Sequence, residues 1–294
     1  MLNIKKVVKG AVSNVGIPMN VFQTVQTKAQ NPMASYQAMN FDDIQKAEDV
    51  LDRLIAHMVS GNCKSLLISG PAGSGKSSSV QRLLKKHNAK KVASISGSVS
   101  PVRTYIELYR NREPGEILVL DDADRAYMDI DGMNIIKAAT DTLDHRQISW
   151  MTASPLLRTW GVPNTFSYSG SMILITNEPL DTAKRGKAGV HLKALADRLH
   201  HLHLGESNID EQFRRLCYFV VKHGLLRSRG LQAHQERSVL DFIFAYKDRL
   251  PEITLRTATK LADLVLMEPD AWMDIGYQSL CSGDGGSKKG GQDA

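Results

Sequence analysis

The run Gly70-Pro71-Ala72-Gly73-Ser74-Gly75-Lys76-Ser77 constrains this chain more than any other stretch. Before it stands Ser65-Leu66-Leu67-Ile68-Ser69, short and apolar enough for a buried strand; after it, Ser77 to His87 has helical spacing. Glycines at these intervals let backbone N–H groups turn inward around a phosphate, where a side chain would collide, and the helix that follows adds its positive end. Lys76 is placed to reach the β- and γ-phosphates of a nucleotide, and the Ser77 hydroxyl to bind Mg2+. A chance glycine-rich turn is the competing reading, and both flanks argue against it.

The alternation continues on either side. Asn40 to Val59 repeats apolar residues at helical spacing (Ile44, Ala47, Leu51, Leu54, Ile55, Met58). Val92 to Ile95, Ile117 to Leu120, Met172 to Thr176 and Leu199 to Leu204 read as further strands, with helices over Pro101 to Tyr109 and Asn134 to Leu143. Strands alternating with helices imply an α/β fold with a parallel, helix-covered sheet. From Ser207 the pattern is purely helical, over Ile209 to His223, Glu236 to Leu250 and Thr254 to Met267. An apolar share of 42% supplies a core and rules out a mostly disordered chain.

The ends differ from the middle. Residues 1–40 hold Lys5, Lys6, Lys9 and Lys28 and no acid, four of the six net positive charges. A flexible or docked extension competes there with an arm that touches a neighbouring subunit or nucleic acid. Residues 282–294 lack an apolar residue before the last alanine and are expected to be disordered. The division expected is therefore a basic arm (1–40), an α/β nucleotide-binding domain (41–206), a helical lid (207–281) and a tail (282–294). Cys63, Cys217 and Cys281 lie far apart without metal-ligand spacing, as suits reduced thiols in a cytoplasm, a host's included. No apolar run is long enough for a membrane span.

The third strand ends in Asp121-Asp122. A carboxylate at the tip of a buried strand beside the phosphate loop suits Mg2+ binding, the role given to Asp121. Asp122 then polarises the attacking water, with Asp124 in reserve.

On these motifs the chain resembles an AAA+ ATPase from Asn40 to Pro269. The resemblance implies a five-stranded parallel core with a helical lid, ATP and Mg2+ as cofactors, and ATP hydrolysis. It makes Asn177, after the fourth strand, a sensor of the γ-phosphate. Arg198, just before the fifth strand, becomes the finger that reaches a neighbour's ATP, with Arg185 as rival. Arg256, in Thr254-Leu255-Arg256-Thr257-Ala258, becomes the lid's sensor arginine. One departure concerns rate: the family usually has Glu where Asp122 stands, and the shorter acid argues for slow hydrolysis.

Ser149 to Ser171 holds Trp150, Arg158, Trp160 and Tyr168 among turn residues. A hairpin here resembles the insertion found before sensor 1 in AAA+ proteins that act on DNA and in superfamily 3 helicases, which makes Arg158 and Trp160 nucleic-acid candidates. Packing of these aromatics on the sheet competes evenly. The loop Ser96-Gly97-Ser98-Val99-Ser100 would face the pore of a ring. Arg214, Arg215, Lys222, Arg227 and Arg229 form a basic cluster read first as a solvated helix face. His200, His201 and His203 lack the supporting ligands of a zinc site.

The reading taken is an oligomeric AAA+ ATPase, a ring or filament and most simply a hexamer, with ATP between subunits and DNA as partner in replication, recombination or transposition. A superfamily 3-like helicase motor is one alternative. A protein-remodelling ATPase indifferent to DNA is the other.

Overall fold

In the computed structural model, residues 31–281 are described apart from 124–125, 127–128, 143–145, 178–192, 194 and 206–207. The first 30 residues of the arm, the tail, Asp124 and Arg185 thus lie outside the described residues.

Helices α1 (Ala34–Gln37) and α2 (Asp42–Val59) precede β1 (Ser65–Ser69). The α2 stripe of Ile44, Leu51, Ile55 and Met58 is buried, and Asp42 and Asp43 in its first turn suit the helix dipole. Then come α3 (Lys76–Lys86), β2 (Lys91–Ser96), α4 (Pro101–Arg110), β3 (Glu116–Asp121) and α5 (Ile130–Ala139). After β4 (Arg146–Ser149), α6 (Pro155–Thr159) and β5 (Thr165–Tyr168) stand β6 (Ser171–Thr176) and β7 (His200–His203).

Five strands make one sheet in the order β2-β3-β6-β1-β7, each pair parallel. The central strands β1 and β6 are buried throughout, in register from Ser65 opposite Met172 to Ser69 opposite Thr176. Continuous apolar runs suit strands covered on both faces. Leu67, Leu118, Leu120, Met172 and Leu174 pack in one layer with residues of α4 and α5. Leu66, Ile68, Val119, Ile173 and Ile175 pack in the other with residues of α2 and α3. Parallel pairing brings the tips of β1, β3 and β6 to one edge of the sheet, and the candidate site stands there.

Caps move two helix starts from their expected places, and one helix also ends early. Helix α5 starts at Ile130, not Asn134, because the Asp129 carboxylate accepts from the N–H groups of Asp131 and Gly132. It stops at Ala139, whose carbonyl accepts from the buried Arg146 at 2.6 Å. Helix α8 (Ala233–Ala245) starts ahead of Glu236 because Gln232 and Gln235 form a reciprocal cap.

The lid consists of α7 (Ile209–His223), α8, α9 (Leu255–Met267) and α10 (Trp272–Leu280), around a third apolar cluster. Helix α10 is an addition to the sequence expectation. Met33, Phe41 and Ile44 join this cluster, so residues 31–40 dock on the helical part. Tyr36 donates to Asp241 at 2.5 Å and Arg237 to the Pro32 carbonyl at 3.1 Å.

The expected hairpin is present: strands β4 and β5 pair antiparallel, Arg146 opposite Tyr168, but its first strand starts ahead of Ser149 and helix α6 fills the connection. Ile148, Phe166 and Tyr168 point inward, and the Tyr105 ring lies 5.0 Å from Phe166 and 5.8 Å from Trp150. Trp150 and Phe166 thus pack the segment onto α4, and Trp160 meets the same helix through Arg103 and Arg110.

Candidate functional site

The loop after β1 is held tightly from behind. Gly70 has φ +150°, and a Cβ on it would lie 2.0 Å from the Leu204 carbonyl oxygen at the end of β7. A Cβ on Gly73 would lie 2.4 Å from that of Thr254 in the lid. These two glycines therefore serve close packing of strand and lid against the loop, beyond the phosphate approach read from sequence. Gly75, in the left-handed region, starts α3, whose first residue is Lys76.

Lys76 is buried, and its ammonium donates to the carbonyls of Gly70 (2.9 Å) and Pro71 (2.8 Å) and to Asn177 Oδ1 (2.7 Å). Burial pulls its pKa down from 10.5 to about 8. Asp122 and Asp121 oppose that shift, while Arg215 and Arg256 add to it. The Ser77 hydroxyl donates to Asp121 Oδ1 at 2.9 Å. Asn177 turns its Nδ2 to Asp122 Oδ1 at 2.7 Å, so one amide joins the lysine to the acid. Asp122 takes a left-handed backbone (φ +52°) while its N–H still bonds the Ile175 carbonyl at 3.0 Å. The tips of β3 and β6 and the loop after β1 thus meet.

The lid closes one side. The Leu255 N–H donates to the Gly73 carbonyl at 3.2 Å, and Thr254 caps α9 by accepting from the Thr257 N–H at 3.1 Å. Arg256 sits in that first turn, exposed, and its charge is felt at Lys76.

The residues present fit a nucleoside polyphosphate with Mg2+. Lys76 is a buried cation that donates to two carbonyls and an amide oxygen, neutral groups that an anion can replace. Ser77 Oγ and Asp121 Oδ1 offer adjacent hard oxygens, the donor type Mg2+ takes.

Other expected site residues stand apart. Arg198 is exposed in the turn before β7. Since Leu66 of β1 pairs with His200, Arg198 lies at the amino end of the strands and the phosphate loop at the carboxyl end. Arg158 is exposed on α6. Trp160, 44% exposed, lies under the guanidinium of Arg110 (4.2 Å from the ring centroid), with Arg103 at 5.1 Å.

The basic cluster of the lid is a set of separate pairs with acids. Arg214 meets Asp43 and Glu211, Arg227 meets Glu236, and Arg229 meets Asp263. Arg215 is buried: it donates to the Ser74 carbonyl at 2.6 Å and to Glu48 Oε1 at 3.0 Å. Sequence reading missed this pair. The available signal was Glu48, a carboxylate inside the apolar stripe of α2, where a buried charge demands a partner. His201 and His203 both lie against Ser69 Oγ, at 2.8 and 3.0 Å. Val99 of the proposed pore loop is buried, and Ser100 caps α4. No helix among the described residues is long and apolar enough to cross a membrane.

No protein-family model matches the chain. It is 33% identical over 259 residues to the uncharacterized 36.7 kDa protein in the nrdC-mobD intergenic region of Enterobacteria phage T4, covering 86% of this chain and 79% of that protein. Its structure resembles that of a point mutant of Thermotoga maritima RuvB, with a TM-score of 0.51 and 13% identity over 82% of this chain and 70% of the other. That likeness concerns the fold alone, and the fold is the AAA+ P-loop fold with a helical C-terminal part.

Proposed function

The chain belongs to the family of the uncharacterized 36.7 kDa protein of Enterobacteria phage T4, and from the site this fold carries we propose that it binds and hydrolyses Mg-ATP as an oligomer serving a DNA transaction. The observation behind the ATPase reading is the convergence of Lys76, Asn177 and Asp122 in one hydrogen-bonded chain with the bonded pair Ser77 and Asp121 beside it. In this reading Lys76 exchanges its neutral partners for the β- and γ-phosphates, and the loop N–H groups from Gly70 to Ser77 hold the anion. Ser77 and Asp121 hold Mg2+, which when bound neutralises charge developing on the phosphates. Asp122 orients and polarises the attacking water, and Asn177 reports the γ-phosphate to it. Arg256 bears on the phosphates from the lid. Arg198, at the far end of the strands from its own loop, serves the site of an adjacent copy.

The DNA reading rests on Arg103 and Arg110, which also pair with Glu107, beside the half-exposed Trp160, and on Arg158 exposed on the same insertion, a combination suited to stacking a base and contacting phosphate. RuvB is itself described as a Holliday junction branch migration motor. A helicase-loader or regulator role is the form proposed here, since a net charge of +6 is small for tight binding by one subunit and an oligomer multiplies weak contacts. A protein partner is the second reading, favoured by Met151 (87% exposed) and Leu156 (50% exposed) on the same insertion.

The test is the rate of ATP hydrolysis with and without single- and double-stranded DNA, with mass measured in ATP. Lys76→Ala is expected to lose tight ATP binding, and Asp122→Asn to keep binding while losing hydrolysis. Parental hydrolysis by both variants would sink the ATPase reading. Stimulation by DNA that Arg158→Ala/Trp160→Ala abolishes, with basal hydrolysis intact, supports the DNA reading. Indifference to both DNA forms favours a protein partner.

A further inference from the structure

Glu48 and Arg215 are buried, 2% and 5% exposed, and they join elements distant in sequence. The Glu48 carboxylate accepts from the Ser79 hydroxyl of α3 at 2.9 and 3.0 Å and from Arg82 at 2.9 Å. Its third donor is Arg215 of α7, in the lid, whose Nε also donates to the carbonyl of Ser74 in the middle of the phosphate loop. One guanidinium therefore spans lid, loop and α2. It does so across the connection between sheet and lid. Gly205 there has φ +89°, and a Cβ on it would lie 3.0 Å from the Ser74 side chain and 3.4 Å from Arg215 Cδ. The stem of Arg215 thus runs beside the turn where the chain leaves β7 for α7.

A buried ion pair is weak evidence for stability, because desolvation offsets its attraction, and apolar residues of similar volume often serve as well. A role in coupling accounts for its position better than a role in folding does. The bond to Ser74 fixes one carbonyl of a loop whose N–H groups must all face an anion. Any shift of α7 moves that carbonyl, and any change in the loop on filling moves α7.

We propose that Arg215, held by Glu48, is a positioning residue that fastens the lid to the back of the phosphate loop, so that nucleotide occupancy sets the seat of the lid. The inference rests on the nucleotide-binding reading above. Arg215 touches no phosphate; it acts through the Ser74 carbonyl.

The experiment uses the full chain, with a fluorescent ADP analogue for affinity, thermal unfolding without nucleotide, and amide exchange of α7 with and without ADP. In Arg215→Met the buried Glu48 loses its buried cation and keeps only Ser79 and the part-exposed Arg82, and both stability and ADP affinity fall. In Glu48→Gln/Arg215→Met both charges are gone while an amide oxygen still accepts from the buried Ser79 hydroxyl, and the melting temperature returns towards the parental value. ADP affinity in the double variant stays about tenfold below the parent, within the usual range for coupling between sites. ADP also no longer slows exchange in α7, as it does in the parent. A double variant that binds ADP as tightly as the parent, with parental protection of α7, overturns the inference and leaves a structural pair. A parental protein that binds no ADP overturns the nucleotide reading itself, and this inference with it. The two failures are thereby distinct.

Discussion

At the scale of single residues, Lys76 carries the most consequence. Its folded pKa of about 8 lies below the ordinary 10.5, because burial disfavours the ammonium more than Asp122 and Asp121 favour it. Between those values the unfolded chain binds more protons at this group than the folded one. The penalty of burying the charge is thus fully present below pH 8, and this contribution to stability rises as pH climbs from about 8 to 10.5. Nucleotide affinity runs the other way, since the polyphosphate needs the charged form. Affinity for ADP is expected to be level below pH 8 and then to fall by up to about tenfold per pH unit. Equilibrium titrations from about pH 6.5 to 9.5 check this, with Lys76→Ala as reference. The variant should bind weakly and show no such slope; an identical slope would assign the titration to another group.

At the scale of elements, the junction of α9 with the phosphate loop offers a second test. Thr254 caps α9, and its Cβ lies 2.4 Å from where a Cβ on Gly73 would fall. Thr254→Ala removes the cap and should cost about 1 kcal/mol in denaturant unfolding, with most of it recovered in Thr254→Ser. Gly73→Ala should weaken ADP binding more than Thr254→Ala does, because it pushes the lid away from the loop at a position with φ +69°. Equal binding by Gly73→Ala and the parent would show that the lid can yield there at no cost to the site. Elements whose signal is local were legible in the sequence. The buried strands announce themselves by apolar runs, and the loop by its glycines, so β1 is read to the residue and Asn177 falls at the tip of β6 as expected. What escaped depends on contacts between distant segments. Helix α6 is a short piece between strands that pair across it, and α10 follows a turn at Asp270. The pairing of Arg215 with Glu48 joins residues 167 positions apart, and no local pattern reports such a bond. Sequence leaves Trp160 evenly between stacking on nucleic acid and packing on the sheet; its ring is half exposed and lies beside Arg110 and Arg103.

At the scale of the whole molecule, the role proposed for Arg198 separates a site complete in one chain from one shared by two. Strands β1 and β7 are parallel, the phosphate loop leaves β1 at its carboxyl end, and Arg198 enters β7 at its amino end. The four residues of β7 alone separate those levels by about 13 Å at ordinary strand rise, too far for the arginine to fold back on its own nucleotide. Arg198→Ala is therefore expected to bind ATP like the parent and hydrolyse it poorly. Lys76→Ala binds poorly but keeps its arginine. In an equal, randomly assembled mixture, about a quarter of interfaces join an intact loop from one variant to an intact arginine from the other, so about that fraction of parental activity should return. A site complete within one chain predicts no recovery, since neither variant then owns both groups. Mass in ATP supplies the complementary reading: shared sites require an assembly, and a chain that stays monomeric in ATP while hydrolysing it at the parental rate would remove Arg198 from the mechanism.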